Sequence, residues 1–268
     1  YALDNVEGAI EVYKEALKLN VDCWESDGLE DRYLELIFSC LSEILFANYD
    51  ELEQNFKNLA DDYNLFYGIF EDVKYDFASR YCIAMSVGMK AGLKSKKFDF
   101  YNSKTDFLKS KKMLEDLKNE MAESKDLSEY TLLVEYSLNF VKNGIYSLAL
   151  EDRLLNEDYS AAIESIDKLL DIANGEVELI KNVDSSPEGL SLQESLVNHF
   201  TAIKYMITAE KAKRDGNYIE AKEYYKKARE EWDLAIERAI AYELPPYMDI
   251  LRYWSTLILE PAVRNCKR

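Results

Sequence analysis

Gly216-Asn217-Tyr218-Ile219-Glu220-Ala221 lies between two stretches whose apolar residues recur at helical spacing. Phrases of the same kind, a polar residue and an aromatic opening an amphipathic run, stand at Asn48-Tyr49-Asp50-Glu51-Leu52, Lys97-Phe98-Asp99-Phe100-Tyr101 and Asp158-Tyr159-Ser160-Ala161-Ala162. A fragment, Val6-Glu7-Gly8-Ala9-Ile10, comes earlier. Each complete phrase marks the tight turn of an αα-hairpin, with its aromatic closing the apolar seam. Repeated hairpins stack, so the expected fold is all-α, an array of long antiparallel αα-hairpins in one helical-repeat domain.

Composition agrees with that reading. Of 268 residues 48% are hydrophobic, enough for a continuous core, while nine glycines and four prolines are too few to punctuate a many-stranded β protein. About ten helices are expected, at 5–20, 29–47, 49–64, 67–92, 104–123, 127–156, 158–182, 189–215, 217–242 and 246–263. Ser128 and Ser191 read as caps, Pro245-Pro246 as a helix end, and Ser185-Ser186-Pro187-Glu188-Gly189 as a connector. Ala84, Gly88 and Gly92 place small residues four apart, which predicts a seam of close helix packing. The helix at 5–20 has a second-helix pattern, which points to residues upstream of Tyr1 or to a symmetry mate as its partner. Oligomeric state stays open.

The stretch Tyr205 to Glu231 resembles a tetratricopeptide repeat. Ala209 stands where the first helix needs a small residue, Gly216 and Tyr218 form the turn, and Ala221, Tyr225 and Ala228 continue the seam. Tyr146 to Leu170 is similar through Tyr159, Ala162, Ile166 and Leu169, with Leu150 replacing the small residue. Phe38 to Leu59 matches through Cys40, Tyr49, Leu52, Phe56 and Leu59. Aligned on Tyr49, Phe98, Tyr159 and Tyr218, the intervals are 49, 61 and 59 residues. That exceeds the roughly 34 residues of the regular repeat. A right-handed solenoid and a compact bundle of long hairpins are both consistent with it.

Function is constrained mainly by exclusion. A formal charge of −18 repels a phosphate backbone, and the clusters Lys94, Lys96, Lys97 and Lys109, Lys111, Lys112 read as solvated hairpin ends, so no nucleic acid is expected. No apolar run reaches the ~20 residues of a membrane span. Cys23, Cys40, Cys82 and Cys266 lack metal-site spacing and suit buried thiols in a cytoplasmic protein. The one histidine, His199, between Leu196 and Ile203, reads as a packing residue. The adjacent Asp61 and Asp62 diverge in direction and read as solvated. No common nucleophile, zinc or phosphate-loop motif occurs, and neither catalysis nor a cofactor is expected.

The resemblance implies a module that binds a protein or peptide along a concave face lined by the first helix of each hairpin. The residues it places there are Ser147, Glu151 and Leu154 in one hairpin and Met206, Glu210, Lys213 and Arg214 in the next. The two cations would hold a carboxylate or peptide terminus, and the two glutamates a basic side chain. A regulatory sensor, changing curvature when a small peptide or metabolite binds, is the alternative. Trp232 and Trp254 are expected in the late core or cap, and Trp24 at the surface.

Overall fold

A computed structural model describes residues 34–37, 40, 48–182 and 187–241. The expected helices at 5–20 and 246–263, most of that at 29–47, and Cys23, Cys266, Trp24, Trp254, Ser185-Ser186 and Pro245-Pro246 lie outside these residues. Within them the chain forms α1 (Tyr49–Phe70), α2 (Val73–Lys96), α3 (Phe100–Glu123), a 3-10 helix (Lys125–Tyr130), α4 (Thr131–Leu155), α5 (Tyr159–Asn182), α6 (Pro187–Arg214) and α7 (Tyr218–Ala241). There is no strand among the described residues, and each helix packs on the next.

Several boundaries differ from expectation for identifiable reasons. The apolar period of α1 runs on through Phe66 to Phe70, so the break falls at Glu71-Asp72, where Asp72 accepts a hydrogen bond from the Lys74 N–H (3.0 Å). The helix expected at 127–156 begins instead with the 3-10 turn. The Thr131 hydroxyl donates to the Ser128 carbonyl (2.7 Å), so Ser128 is not the cap of a long helix. Ser191 is likewise inside a helix and not at its start. Proline, which has no N–H to satisfy, opens α6 at Pro187.

Three turns share one geometry. Phe98, Glu157 and Gly216 adopt left-handed backbone (φ 61°, 53° and 82°). The next residue's N–H reaches back to a carbonyl five positions earlier: Asp99 to Lys94 (3.0 Å), Asp158 to Arg153 (2.9 Å) and Asn217 to Ala212 (2.8 Å). These close the helix ends and satisfy their last carbonyls. Asp99, Asp158 and Asn217 then accept the first hydrogen bond of the following helix from Ser103, Ala162 and Ala221, as Asn48 does from Leu52.

That geometry corrects the alignment of the second phrase. The acidic or amide cap sets the register, so the counterpart of Tyr49, Tyr159 and Tyr218 is Phe100. Phe98 occupies the left-handed position of Gly216 and is 81% exposed. The cap-to-cap intervals become 51, 59 and 59 residues. In this register Leu52, Ser103, Ala162 and Ala221 coincide and all are buried, as are Phe56, Phe107, Ile166 and Tyr225 four positions later. The expectation that the turn aromatic always closes the seam fails at Tyr218, which is 59% exposed.

Successive helices approach closely. Serine hydroxyls reach across to neighbouring backbone: Ser103 to the Ala91 carbonyl (2.8 Å), Ser110 to Ala84 (2.7 Å), Ser79 to Ala60 (2.9 Å) and Ser195 to Ala235 (2.9 Å). The small-residue seam is present as expected. A Cβ on Gly92 would lie 2.9 Å from the Tyr49 ring, and one on Gly88 3.2 Å from the Ser110 hydroxyl. Gly144 does the same for Phe107, whose ring would clash with an added Cβ. The apolar interior forms two clusters, one from Ile37 to Leu148 and one from Leu150 to Ala239, so α4 contributes to both.

Glycine has no left-handed penalty, whereas other residues lose roughly 1–2 kcal/mol there. Glu157 is exposed and makes its turn contacts through backbone. Glu157→Gly is therefore expected to stabilise the chain by about 1 kcal/mol in urea denaturation, set against the entropy that glycine adds to the unfolded chain.

Candidate functional site

Two junctions between successive hairpins are closed in the same way. Tyr49 packs in the notch of Gly92, and the Lys96 ammonium lies 5.1 Å over its ring. Two hairpins on, the Arg214 guanidinium lies 5.0 Å over the Tyr159 ring and donates to the Glu157 carbonyl (2.8 Å). Lys96 and Arg214 each stand three residues before a cap. A cation over an aromatic face is held by the ring quadrupole while its stem covers apolar surface.

At the junction between them the equivalent pair is Phe100 and Leu155. Leucine offers no cation, and Leu155 is 76% exposed. Here the surface opens into a groove of about 1000 Å³, with Phe100, Phe107 and Phe140 among its apolar lining. Tyr49 of α1, Gly92, Ser95 and Lys96 of α2, Phe98 of the turn, a run of α4 residues and Leu196 of α6 complete it, so the groove reaches the Tyr49–Lys96 pair of the preceding junction. The groove thus lies along the first helices of three successive hairpins, where the two apolar clusters meet.

Three expected site residues, Ser147, Glu151 and Leu154, line this groove. Asn143, Ser147 and Glu151 are spaced four apart and form one polar track along α4. The Asn143 side-chain oxygen is buried without a hydrogen-bond partner. In the same register α2 and α6 carry Ala84 and Ala202. Partial desolvation raises the pKa of Glu151 above the ordinary carboxylate value, and no ion pair or hydrogen bond reaches it among the described residues.

The structure does not place the other expected residues, Met206, Glu210, Lys213 and Arg214, on the groove lining. Glu210 occupies the register of Glu151 but accepts a hydrogen bond from Tyr225 and pairs with Lys213 (3.5 Å). Ile166 replaces Tyr225 in the hairpin of Glu151, which explains why one carboxylate has an internal partner and the other faces the groove. Arg214 closes a junction, as described above. Phe100, Leu155 and Asn143 were not among the expected site residues. The signal for Leu155 was its register, three before a cap, legible only once Phe100 was aligned.

Other titratable groups are structural. His199 is buried, accepts from the Trp232 indole N–H (2.9 Å), and burial lowers its pKa to about 4. That agrees with a packing histidine and with Trp232 in the core. In the lysine clusters Lys94 pairs with Asp106 (2.6 Å) and Lys111 with Glu115 (3.3 Å); Lys109, Lys111 and Lys112 lie in the middle of α3, correcting the expectation that they stand at a hairpin end. Asp61 is exposed, but Asp62 is buried, correcting the expectation that both are solvated. No helix among the described residues is long and apolar enough to cross a membrane. Compared with known families, curated proteins and solved structures, the chain matches none.

Glu176 stands in a seam position that α1, α3 and α7 fill with Phe66, Leu117 and Ala235. Burial raises its pKa to about 7, partly opposed by a hydrogen bond with Asn139. The folded chain therefore favours protonated Glu176. Its contribution is complete below pH ~4.5 and is lost as pH rises to ~7, amounting to about 3 kcal/mol. Glu176→Gln should exceed the wild type in stability by about that amount at pH 8, with the gap closing towards pH 4.5. Urea titrations of both proteins at a series of pH values check this, and the contribution of His199 cancels between them.

Proposed function

We propose that the chain is a non-enzymatic, tetratricopeptide-like helical-repeat module that binds a protein or peptide partner along its first-helix face. The observation that carries this reading is the apolar groove that runs from the Tyr49–Lys96 pair across the middle junction, where Leu155 stands in place of a covering cation. It has the qualities of a binding site: an aromatic lining, exposed apolar Leu155 at its rim, and a few polar groups on one helix face. Buried thiols at Cys40 and Cys82 suit a reducing, cytoplasmic setting.

A second reading, a sensor whose array bends when a small ligand binds, draws on one observation. The two apolar clusters meet on α4 beside the groove, so an occupant there would contact both. Such an occupant would favour whichever arrangement it binds more tightly.

Affinity capture from source-cell extract, followed by mass spectrometry, separates the two. The partner-binding reading expects a stoichiometric protein retained by the wild type and lost on Leu155→Asp, with unchanged helical circular dichroism. Retention of the same protein by Leu155→Asp would place its binding surface elsewhere. Recovery of a small molecule alone would favour the sensor.

A further inference from the structure

We propose that the groove takes a basic amphipathic segment, whose Lys or Arg supplies from outside the cation that the middle junction lacks. This inference rests on the groove being the binding site. In the flanking junctions a basic side chain lies three residues before the cap and covers the preceding turn aromatic, Lys96 over Tyr49 and Arg214 over Tyr159. At the middle junction Leu155 holds that position, while the aromatic, Phe100, remains and lines the groove.

An acceptor for a cation, Glu151, stands about one helical turn before Leu155 and lines the same groove. Glu151 has the same register as Glu210, but Glu210 is satisfied by Tyr225, whereas Glu151 has Ile166 as the counterpart of that tyrosine in its own hairpin and faces the groove without a phenol to bind. Eight residues back, the Asn143 side-chain oxygen lacks a hydrogen bond, and Ser147 lies between them on the same face. An incoming ammonium or guanidinium would stack on Phe100 and donate to the Glu151 carboxylate. Charge-assisted hydrogen bonds in a partly desolvated site are the stronger kind.

The rest of the groove specifies the partner's other face. Phe107, Phe140, Leu154 and Leu196 accept aliphatic or aromatic side chains, and Leu155 extends this surface to the rim. An amphipathic helix presents apolar residues three or four apart with a basic residue beside them, which suits an apolar groove whose carboxylate is Glu151 and whose own cation, Lys96, is engaged over Tyr49. The formal charge of −18 favours approach of a cationic segment and opposes an acidic one.

The test uses the full chain and a displayed library of random 16-residue peptides. Clones are selected on the wild type and counter-selected on Leu155→Arg, which supplies the cation within the chain. The strongest clones are synthesised and their affinities measured for the wild type and Glu151→Gln. We expect an apolar pair next to Lys or Arg. Replacing that basic residue by Gln should weaken binding about tenfold, Glu151→Gln should do the same, and the two changes together should cost little more than either. Groove-dependent clones without a basic residue, or clones indifferent to Glu151→Gln, would overturn the cation while leaving the groove intact. If every clone bound Leu155→Arg as tightly as the wild type, the groove assignment would fall, and this inference with it. Melting curves of both variants exclude unfolding as the cause.

Discussion

Ring against missing side chain is the contact on which the stack depends. Tyr49 lies where Gly92 has no Cβ, and Phe107 where Gly144 has none. At the Gly92 notch, between α1 and α2, the Ser79 hydroxyl also reaches the Ala60 carbonyl, and serine hydroxyls make the same reach between α2 and α3, from Ser103 to Ala91, and between α6 and α7, from Ser195 to Ala235. Close approach has to be prepared by the connection between helices. The left-handed turns at Phe98, Glu157 and Gly216 reverse the chain within three residues and leave a capping Asp or Asn at the start of the next helix. Turn and cap are thus one device, repeated within three hairpins, while the Gly92 and Gly144 notches lie between successive hairpins.

Repetition makes departures informative. A hairpin that only had to pack would carry the same small or apolar residues as its neighbours on α4. Instead Asn143 stands in the register of Ala84 and Ala202, Glu151 lacks the phenol that its counterpart Glu210 finds in Tyr225, and Leu155 stands in the register of Lys96 and Arg214. The first two place acceptors inside a groove and the third places apolar surface at its rim. Stability alone favours none of these exchanges, because burying an unmet acceptor and exposing leucine both cost free energy. Their coincidence at one junction is what a binding site requires. The same helix joins two apolar clusters, so an occupant there touches both halves of the array.

Helical class and hairpin succession were legible because periodicity and turn chemistry are local. Ala209, Ala221, Tyr225 and Ala228 lie buried in one seam, as their spacing implied. Register was harder. Two aromatics, Phe98 and Phe100, flank Asp99, and spacing alone does not say which one follows the cap; backbone hydrogen bonding does. The groove inherited that difficulty. Ser147, Glu151 and Leu154 were found from their helix face, but Met206, Glu210, Lys213 and Arg214 share an equivalent face and do not line the groove. What separates Glu151 from Glu210 is a residue on another helix, Ile166 against Tyr225, and such a pairing is a tertiary fact.

The middle junction is open, on this reading, because position 155 holds leucine where Lys96 and Arg214 hold a cation over a ring. Titration with an uncharged, environment-sensitive dye such as Nile red tests it most directly, comparing the wild type with Leu155→Arg. The account predicts a saturable apolar site in the wild type, weakened about tenfold or more when arginine covers Phe100 as Arg214 covers Tyr159. Equal dye binding by the two proteins, with both fully folded, would contradict it.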